Sequence, residues 1–245
     1  MFSARTFLRM IFFDIDGTLI DHASASALAS LSFYDHFFGG VAFPREGFPE
    51  VWEGIVDKHF NRYCRGEISI WEQRRSRMRE VFGDESLPDW ECDSRYEVYM
   101  QEYESLTRAY DDAAPYINEF EGTPLGIISN GARDQQIGKL DRAGLLKHFS
   151  VLVFSEDVGI GKPATRIFEK ACRLAGADLS ECVHVGDDLA ADVTGSGNAG
   201  LRPIWLDRMD GGASFTFATR INHLTELGKV LRDELAHTPR TFTTN

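Results

Sequence analysis

In the stretch "RMIFFDIDGTLID" an apolar run ends in two carboxylates two residues apart, Asp14 and Asp16, with Gly17-Thr18 directly behind them. Like charges at the end of a buried strand repel unless a cation lies between them. Further reactive groups close later β-prone runs. Ser129-Asn130-Gly131 follows "PLGII", Lys162 lies in "GIGKP", and Asp187-Asp188 follows "CVHVG". Hard divalent cations take oxygen ligands, and Mg²⁺ usually binds one or two carboxylates together with waters and substrate oxygens. Asp14 and Asp187 are the natural side-chain ligands, for Mg²⁺ or for Mn²⁺, which the sequence does not separate. With Lys162 and the Ser129 hydroxyl added, the centre suits a phosphoryl group, whose charge metal and ammonium offset. A helix starting just after "SNGA" would aim backbone N–H groups at the same anion.

The elements that must bring these groups together are short strands. "LRMIFF" (Leu8 to Phe13), "PLGIIS" (Pro124 to Ser129), "SVLVFS" (Ser150 to Ser155), "CVHVG" (Cys182 to Gly186) and "RPIWL" (Arg202 to Leu206) read as strands, with a weaker one near Phe215 to Ile221. Apolar runs without alternation suit strands buried on both faces. Helical segments separate the later ones, at Arg133 to Ala143, Ala164 to Ala175 and Asp188 to Ala199. This alternation predicts an α/β fold, a Rossmann-like parallel sheet with helices on both faces. In such sheets the ligand site lies beyond the carboxyl ends of the strands, where all of these groups fall.

The interval from Asp14 to Ser129 is about 115 residues, against 33 from Ser129 to Lys162 and 25 from Lys162 to Asp187. Only the first can hold an insertion. Residues 21–109 show helical periodicity and no strand, which predicts an α-helical cap between the two parts of the core, 1–20 and 110–245. Tyr96, Tyr99, Met100, Tyr103, Thr107 and Tyr110 share one helical face; Val51, Ile55, His59, Phe60 and Tyr63 form a second stripe, and Leu28, Leu31, Asp35 and Phe38 a weaker third. These stripes read as packing surface. In "IWEQRRSRMREVF" the face of Trp71, Met78 and Phe82 also carries Arg74 and Arg75, so Arg75 is expected to reach the pocket and bind the substrate's leaving group.

Asp plus Glu outnumber Lys plus Arg by 38 to 26, a formal charge of -12. That disfavours a nucleic-acid polymer or an anionic membrane as partner and leaves a small molecule as the expected one. No apolar stretch approaches the roughly 18 residues of a membrane span. Cys64, Cys92, Cys172 and Cys182 match neither a CxxC pair nor a zinc spacing and read as reduced thiols of a cytoplasmic protein. His184 sits inside the apolar strand "CVHVG" and reads as a packed core residue. The tail "HTPRTFTTN" is polar and reads as frayed. Nothing in the sequence sets the oligomeric state.

"DIDGT", "SNG", "GKP" and "GDDLAAD", in that order, resemble the four motifs of the haloacid dehalogenase-like superfamily. The resemblance covers residues 8–20 and roughly 112–235. It implies that Asp14 is a nucleophile forming an aspartyl-phosphate, and that Asp16 is a general acid and base whose backbone carbonyl faces the metal. It implies that Ser129 and Lys162 hold phosphate, with Asn130 beside them in the substrate site, and that Asp187 completes the Mg²⁺ site. Asp192 is then the partner that positions Lys162 or a metal-bound water, and Asp188 either supports the site or caps the helix that follows. "SNG", "DVGIGKPATRIFEKA" and "VGDDLAADVTGSGNAGL" are most similar to pyrimidine 5′-nucleotidases and N-acylneuraminate-9-phosphatases. The expectation is an Mg²⁺-dependent phosphatase acting on a small phosphomonoester, such as a nucleotide or sugar phosphate.

Two other enzymes fit part of the pattern. A 2-haloacid dehalogenase uses one Asp without metal, and the carboxylate at Asp16 argues against it, since halide needs no proton to leave. A phosphomutase would share every motif. A signalling receiver domain also holds an aspartyl-phosphate, but its acidic pair precedes the phospho-acceptor and it carries no such insertion.

Overall fold

The computed structural model describes residues 8–39, 44–119, 122–209 and 218–236. Its centre is a six-stranded sheet in the order β3-β2-β1-β4-β5-β6, and every neighbouring pair is parallel. The strands are β1 (Met10–Phe13), β2 (Leu125–Ser129), β3 (Phe149–Phe154), β4 (Cys182–Gly186), β5 (Arg202–Leu206) and β6 (Thr219–Ile221). The expected weak strand is thus real at its end; Phe215 to Phe217 and the tail from His237 lie outside the described residues.

Alternation along β1 sends side chains into two separate cores. Ile11 and Phe13 pack on one face with α5 (Ala113–Glu119), α6 (Arg133–Arg142) and α10 (Leu227–Ala236), through Ala113, Ile117, Leu140, Leu227 and Leu231. Met10 and Phe12 pack on the other with Ile167, Phe168 and Ala171 of α8 (Thr165–Ala175). All four β1 side chains are buried, as strands covered on both faces require. The short helices α7 (Ser155–Val158) and α9 (Gly195–Ala199) follow β3 and β4, and a π-helical turn, Leu189–Thr194, precedes α9. The segment expected as one helix from Asp188 to Ala199 therefore begins with wider turns.

Between β1 and β2 lie α1 (His22–Phe37), α2 (Phe48–Cys64), α3 (Ile70–Phe82) and α4 (Asp89–Leu106), with a core of their own. Phe33, Trp52, Met78, Tyr99 and Tyr103 fill it, with Phe33 against Trp52 and Trp52 against Tyr99 at centroid distances of 5.2 and 4.5 Å. The stripe on α4 holds for Tyr96, Tyr99, Met100 and Tyr103. However, the helix stops at Leu106, and Tyr110 packs instead beside the sheet core under Arg208. On α1 the buried face is Ala25, Ser26, Ala29, Ser30, Phe33 and Tyr34, while Leu28 is 51% exposed. The small residues lie inward because they let the helix approach its aromatic neighbours, a preference that a search for large apolar residues overlooks. On α2, Trp52 lies inward with Ile55, His59 and Tyr63, and Val51 faces out.

Candidate active site

The register of β1 sets the site. Phe13 pairs with Ile127 of β2 and Val185 of β4, and Asp14 N donates to Val185 O at 2.9 Å. Asp14, Ser129 and Asp187 therefore leave the sheet at one edge. Lys162 arrives from the loop between α7 and α8, and its backbone is tied to Asn130. Lys162 N donates to Asn130 Oδ1 (2.8 Å) and Asn130 Nδ2 donates to Lys162 O (3.1 Å). Asn130 lines the cavity, as its expected place in the substrate site requires, and its amide also holds the Lys162 backbone.

The Lys162 ammonium is 3% exposed and lies 2.6 Å from Asp14 Oδ1 and 2.6 Å from Asp192 Oδ1. The contact to Asp14 is a close ion pair between two buried groups. Burial works against the Lys162 charge, but Asp14 and Asp192 outweigh it and hold the ammonium above its usual range. Asp192 is saturated. Its Oδ1 takes Lys162 and lies 2.8 Å from His184 Nε2, and its Oδ2 accepts from Asp188 N at 3.1 Å. His184 is the buried residue expected, but it has a polar duty at Asp192 that periodicity alone does not reveal. Asp188 caps the turn that follows, its Oδ1 accepting from Ala190 N and Ala191 N at 2.7 and 2.6 Å.

Oxygens of Asp14, Asp187 and Asp192 lie within 4.8 Å of one another. Burial first, then neighbouring carboxylates (Asp192 and Asp14), raises Asp187 to about 8. Burial likewise raises Asp14 to about 7 against the pull of Lys162. Two carboxyls that hold protons near neutrality for want of positive charge are the donor set a hard cation fits. Because Asp192 is already engaged, Asp14 and Asp187 are the side chains left for it. Thr18 Oγ1 donates to Asp187 Oδ1 at 3.1 Å. Two glycines make room for these contacts. Gly17 has φ +80°, and a Cβ there would fall 2.1 Å from Asp187 Oδ2; one on Gly186 would fall 2.2 Å from Asp192 Cγ.

Asp16 has a different environment. Lys139 Nζ donates to both its oxygens at 2.7 Å, and Gln136 Nε2 donates to Oδ2 at 3.0 Å. Burial pushes the Asp16 carboxyl up, but Lys139 and then His22 pull it down to about 2. Lys139 is 2% exposed and lies 5.2 Å from the Tyr103 ring, whose hydroxyl meets His22 Nδ1 at 2.6 Å. None of Gln136, Lys139 and His22 was singled out in the sequence. The available signal was Gln136 and Lys139 at i and i+3 on α6, beside the buried Leu140. Ser129 is 1% exposed, with Gln136 Nε2 at 3.4 Å from its hydroxyl.

Removing Lys139 tests this pair. Lys139→Met should destabilise the protein by about 2–3 kcal/mol at pH 7, because it leaves Asp16 charged and three-quarters buried. The folded pKa of Asp16 lies below its unfolded value, so the stabilisation is complete above pH 4 and fades as pH falls toward 2. Urea unfolding of both proteins at pH 7 and pH 2.5 should show the gap closing. A gap independent of pH would assign the loss to packing.

Asp14, Asp16, Ser129, Asn130, Lys162, Asp187, Asp188 and Asp192 all line one cavity of about 340 Å³, and α1 to α4 supply its other wall through His22, Phe60, Gln73, Arg77 and Tyr99 among others. Arg75 is absent from that wall. It grips Asp93 through Nε and Nη2 at 2.8 and 2.7 Å, and Asp89 through Nη1 at 2.6 Å. The expectation that Arg75 binds substrate is corrected: the inward residues of α3 are Ile70, Gln73, Arg77, Met78 and Val81. Trp71, taken as the marker of the buried face, is 55% exposed under the Arg74 guanidinium. An error of one position turns a helical face by about 100°.

Residues 8–200 match the model of the haloacid dehalogenase-like hydrolases, and this chain belongs to that family. It is similar to pyrimidine 5′-nucleotidase YjjG of Escherichia coli K12, at 32% identity over 80% of this chain and 85% of that one. It is similar to human N-acylneuraminate-9-phosphatase, at 28% identity over 82% and 83% of the two chains. Among solved structures, the HAD-hydrolase YfnB of Bacillus subtilis shares the fold, with a TM-score of 0.78 and 22% identity over 92% of this chain and 99% of that one. The protein is thus an enzyme, a hydrolase of a family that includes phosphatases and nucleotidases.

Proposed function

We propose that this hydrolase is an Mg²⁺-dependent phosphatase that cleaves a small phosphomonoester of nucleotide or sugar-phosphate type through an aspartyl-phosphate. The observation that carries the proposal is the second carboxylate: Asp16 lines the same cavity as Asp14, Ser129 and Lys162. Phosphate esters leave as alkoxides and need a proton, whereas halide does not, so Asp16 has work in the first reaction only.

In this reading Asp14 attacks phosphorus through the oxygen not paired with Lys162, and the ester oxygen departs on the opposite side. Lys162 and the Ser129 hydroxyl hold the equatorial oxygens, and Asp192 and Asn130 hold Lys162 in place. Asp16 gives the leaving oxygen its proton, then takes one from the water that releases Asp14. Lys139 keeps the resting Asp16 ionised; a phosphate dianion entering beside it raises its affinity for the proton it must deliver. Asp14, Asp187 and the Asp16 carbonyl would hold Mg²⁺, which supplies charge to offset the phosphoryl oxygens. Helices α1 to α4, within residues 21–109, act as a cap that excludes water and polymeric substrates and selects the leaving group, while 1–20 and 110–245 form the catalytic core. The free thiols of Cys64, Cys92, Cys172 and Cys182 support a cytoplasmic setting.

EDTA should abolish hydrolysis of p-nitrophenyl phosphate and Mg²⁺ should restore it. Because Asp14 and Asp187 hold protons up to about pH 7 and 8 in the metal-free protein, Mg²⁺ must displace them. Mg²⁺ affinity, measured by calorimetry, should therefore rise with pH between 6 and 8, by about tenfold per unit for each proton released. Hydrolysis undiminished after thorough chelation would refute the metal reading, and an affinity flat across that range would show that Mg²⁺ displaces no proton from Asp14 or Asp187.

A further inference from the structure

Arg77 projects from α3 into the cavity and is 6% exposed. Among the described residues it makes neither a hydrogen bond nor an ion pair, and its Nε is a buried donor with nothing to bond. Its guanidinium lies 5.9 Å from the Phe60 ring, and its charge pulls on the Glu53 carboxyl without forming an ion pair with it. Every other arginine on this helix is engaged: Arg74 with Gln135, and Arg75 and Arg79 with Asp89. A guanidinium stays charged at every relevant pH, and a buried charge without a counter-ion is strongly unfavourable. Glu53 and Asp57 also line the cavity, and Glu53 feels the Arg77 charge, but neither carboxylate comes within hydrogen-bond or ion-pair distance of Arg77. One turn earlier, Gln73 is 1% exposed, and its Oε1 is a buried acceptor with no donor. Two unsatisfied polar side chains on adjacent turns, facing the cavity that holds Asp14, point to a ligand group that completes them.

We infer that Arg77 is the specificity-determining residue of this enzyme and that the leaving group of its substrate carries a carboxylate. The inference rests on the phosphatase reading and narrows its substrate class, away from nucleotides and toward phosphate esters of acids, acidic sugars included. The phosphoryl charge is met by Lys162 and the metal ligands at the strand ends, so Arg77, arriving from α3, is left for a second anion. A carboxylate matches the planar guanidinium fork with two parallel hydrogen bonds. A hydroxyl or amine on the neighbouring carbon would donate to Gln73 Oε1. A neutral leaving group would take a hydrogen bond from Arg77 and leave its charge buried and unbalanced.

Matched substrates separate these cases. Carboxyalkyl phosphates with one to three methylenes between phosphate ester and carboxylate are each compared with the hydroxyalkyl phosphate of equal length, using Mg²⁺-loaded full-length enzyme. At one length or more, wild type should favour the carboxylate in kcat/KM by about 10- to 100-fold, the effect of a charged hydrogen-bonded pair. In Arg77→Gln that ratio should drop to within about threefold. Arg77→Lys, which keeps the charge but loses the fork, should fall between them and serves if the Gln variant does not fold. A wild-type ratio near one at every length overturns the inference, as does a preference that survives Arg77→Gln. Nucleoside 5′-monophosphates cleaved faster than every carboxyalkyl phosphate would overturn it too. In these cases hydrolysis of the hydroxyalkyl esters still upholds the phosphatase reading, whereas cleavage of no ester at all would sink that reading instead.

Discussion

Asp14→Asn should lower kcat for any phosphate ester by about 10³-fold or more, to the level of background hydrolysis. The amide occupies the same volume as the carboxylate at the end of β1, so the fold should persist. What disappears is the anionic oxygen that attacks phosphorus and one of the two carboxylates left free for a cation. The pair with Lys162 weakens as well, but Lys162 keeps Asp192 at 2.6 Å and should stay charged and in place. Single-turnover measurements on a labelled ester would check the chemistry directly: wild type should pass label to the protein, and the variant should not. A variant retaining more than a few per cent of wild-type kcat would rule out covalent catalysis by Asp14, since the neighbouring carboxylates have other duties, Asp187 toward the cation. Asp16 is held by Lys139, and Asp192 by Lys162 and His184.

Lys162→Met should damage both stability and catalysis. Among the described residues the ammonium is the one positive side chain in contact with Asp14 and Asp192, and all three are buried. Removing one partner of such a cluster strands the others, and a loss of about 3–5 kcal/mol in metal-free protein at pH 8 is expected. The pH dependence identifies the cause. Asp14 and Asp187 have folded pKa values of about 7 and 8, above their unfolded values, so both become neutral in the folded protein as pH falls. A neutral Asp14 does not need Lys162, so its share of the stability difference should shrink from pH 8 to pH 5, while the share of Asp192, which Lys162 holds well below the usual carboxylate range, should persist over that interval. Mg²⁺ should reduce the difference at pH 8 by supplying the missing charge. Hydrolysis should remain impaired even with saturating Mg²⁺, since phosphate loses a donor. If the variant matched wild type in denaturant midpoint at pH 8, the cluster would have no electrostatic debt, and the case for a cation at Asp14 and Asp187 would weaken with it.

How much of this was legible before folding differs from one part of the chain to another. The strands were legible because burial on both faces demands unbroken apolar runs, and each run stops where a polar group leaves the sheet. Asp14, Ser129 and Asp187 therefore sit at the predicted ends of β1, β2 and β4. The helices of the insertion were legible as helices, but their inward faces were not. Period sets which residues share a face and says little about which face turns inward; on α1 the buried face is built from Ala and Ser, and on α3 an exposed Trp misled. Arg75 and Arg77, two positions apart, exchange roles for this reason. Asn130 also holds the backbone of Lys162, a residue 32 positions away that local reading cannot bring near it.

The sequence by itself determined the parallel α/β core, the helical insertion and the identity of the acidic and basic groups at the strand ends, because apolar period and residue chemistry are local properties. Only the tertiary structure decided who meets whom: Lys139 and Gln136 on Asp16, His184 on Asp192, Asn130 on Lys162, and Arg77 unpaired in the cavity. Those pairings depend on strand register and helix rotation. Both are set by packing between segments up to 123 residues apart, as Lys139 and Asp16 are, and no local pattern encodes them.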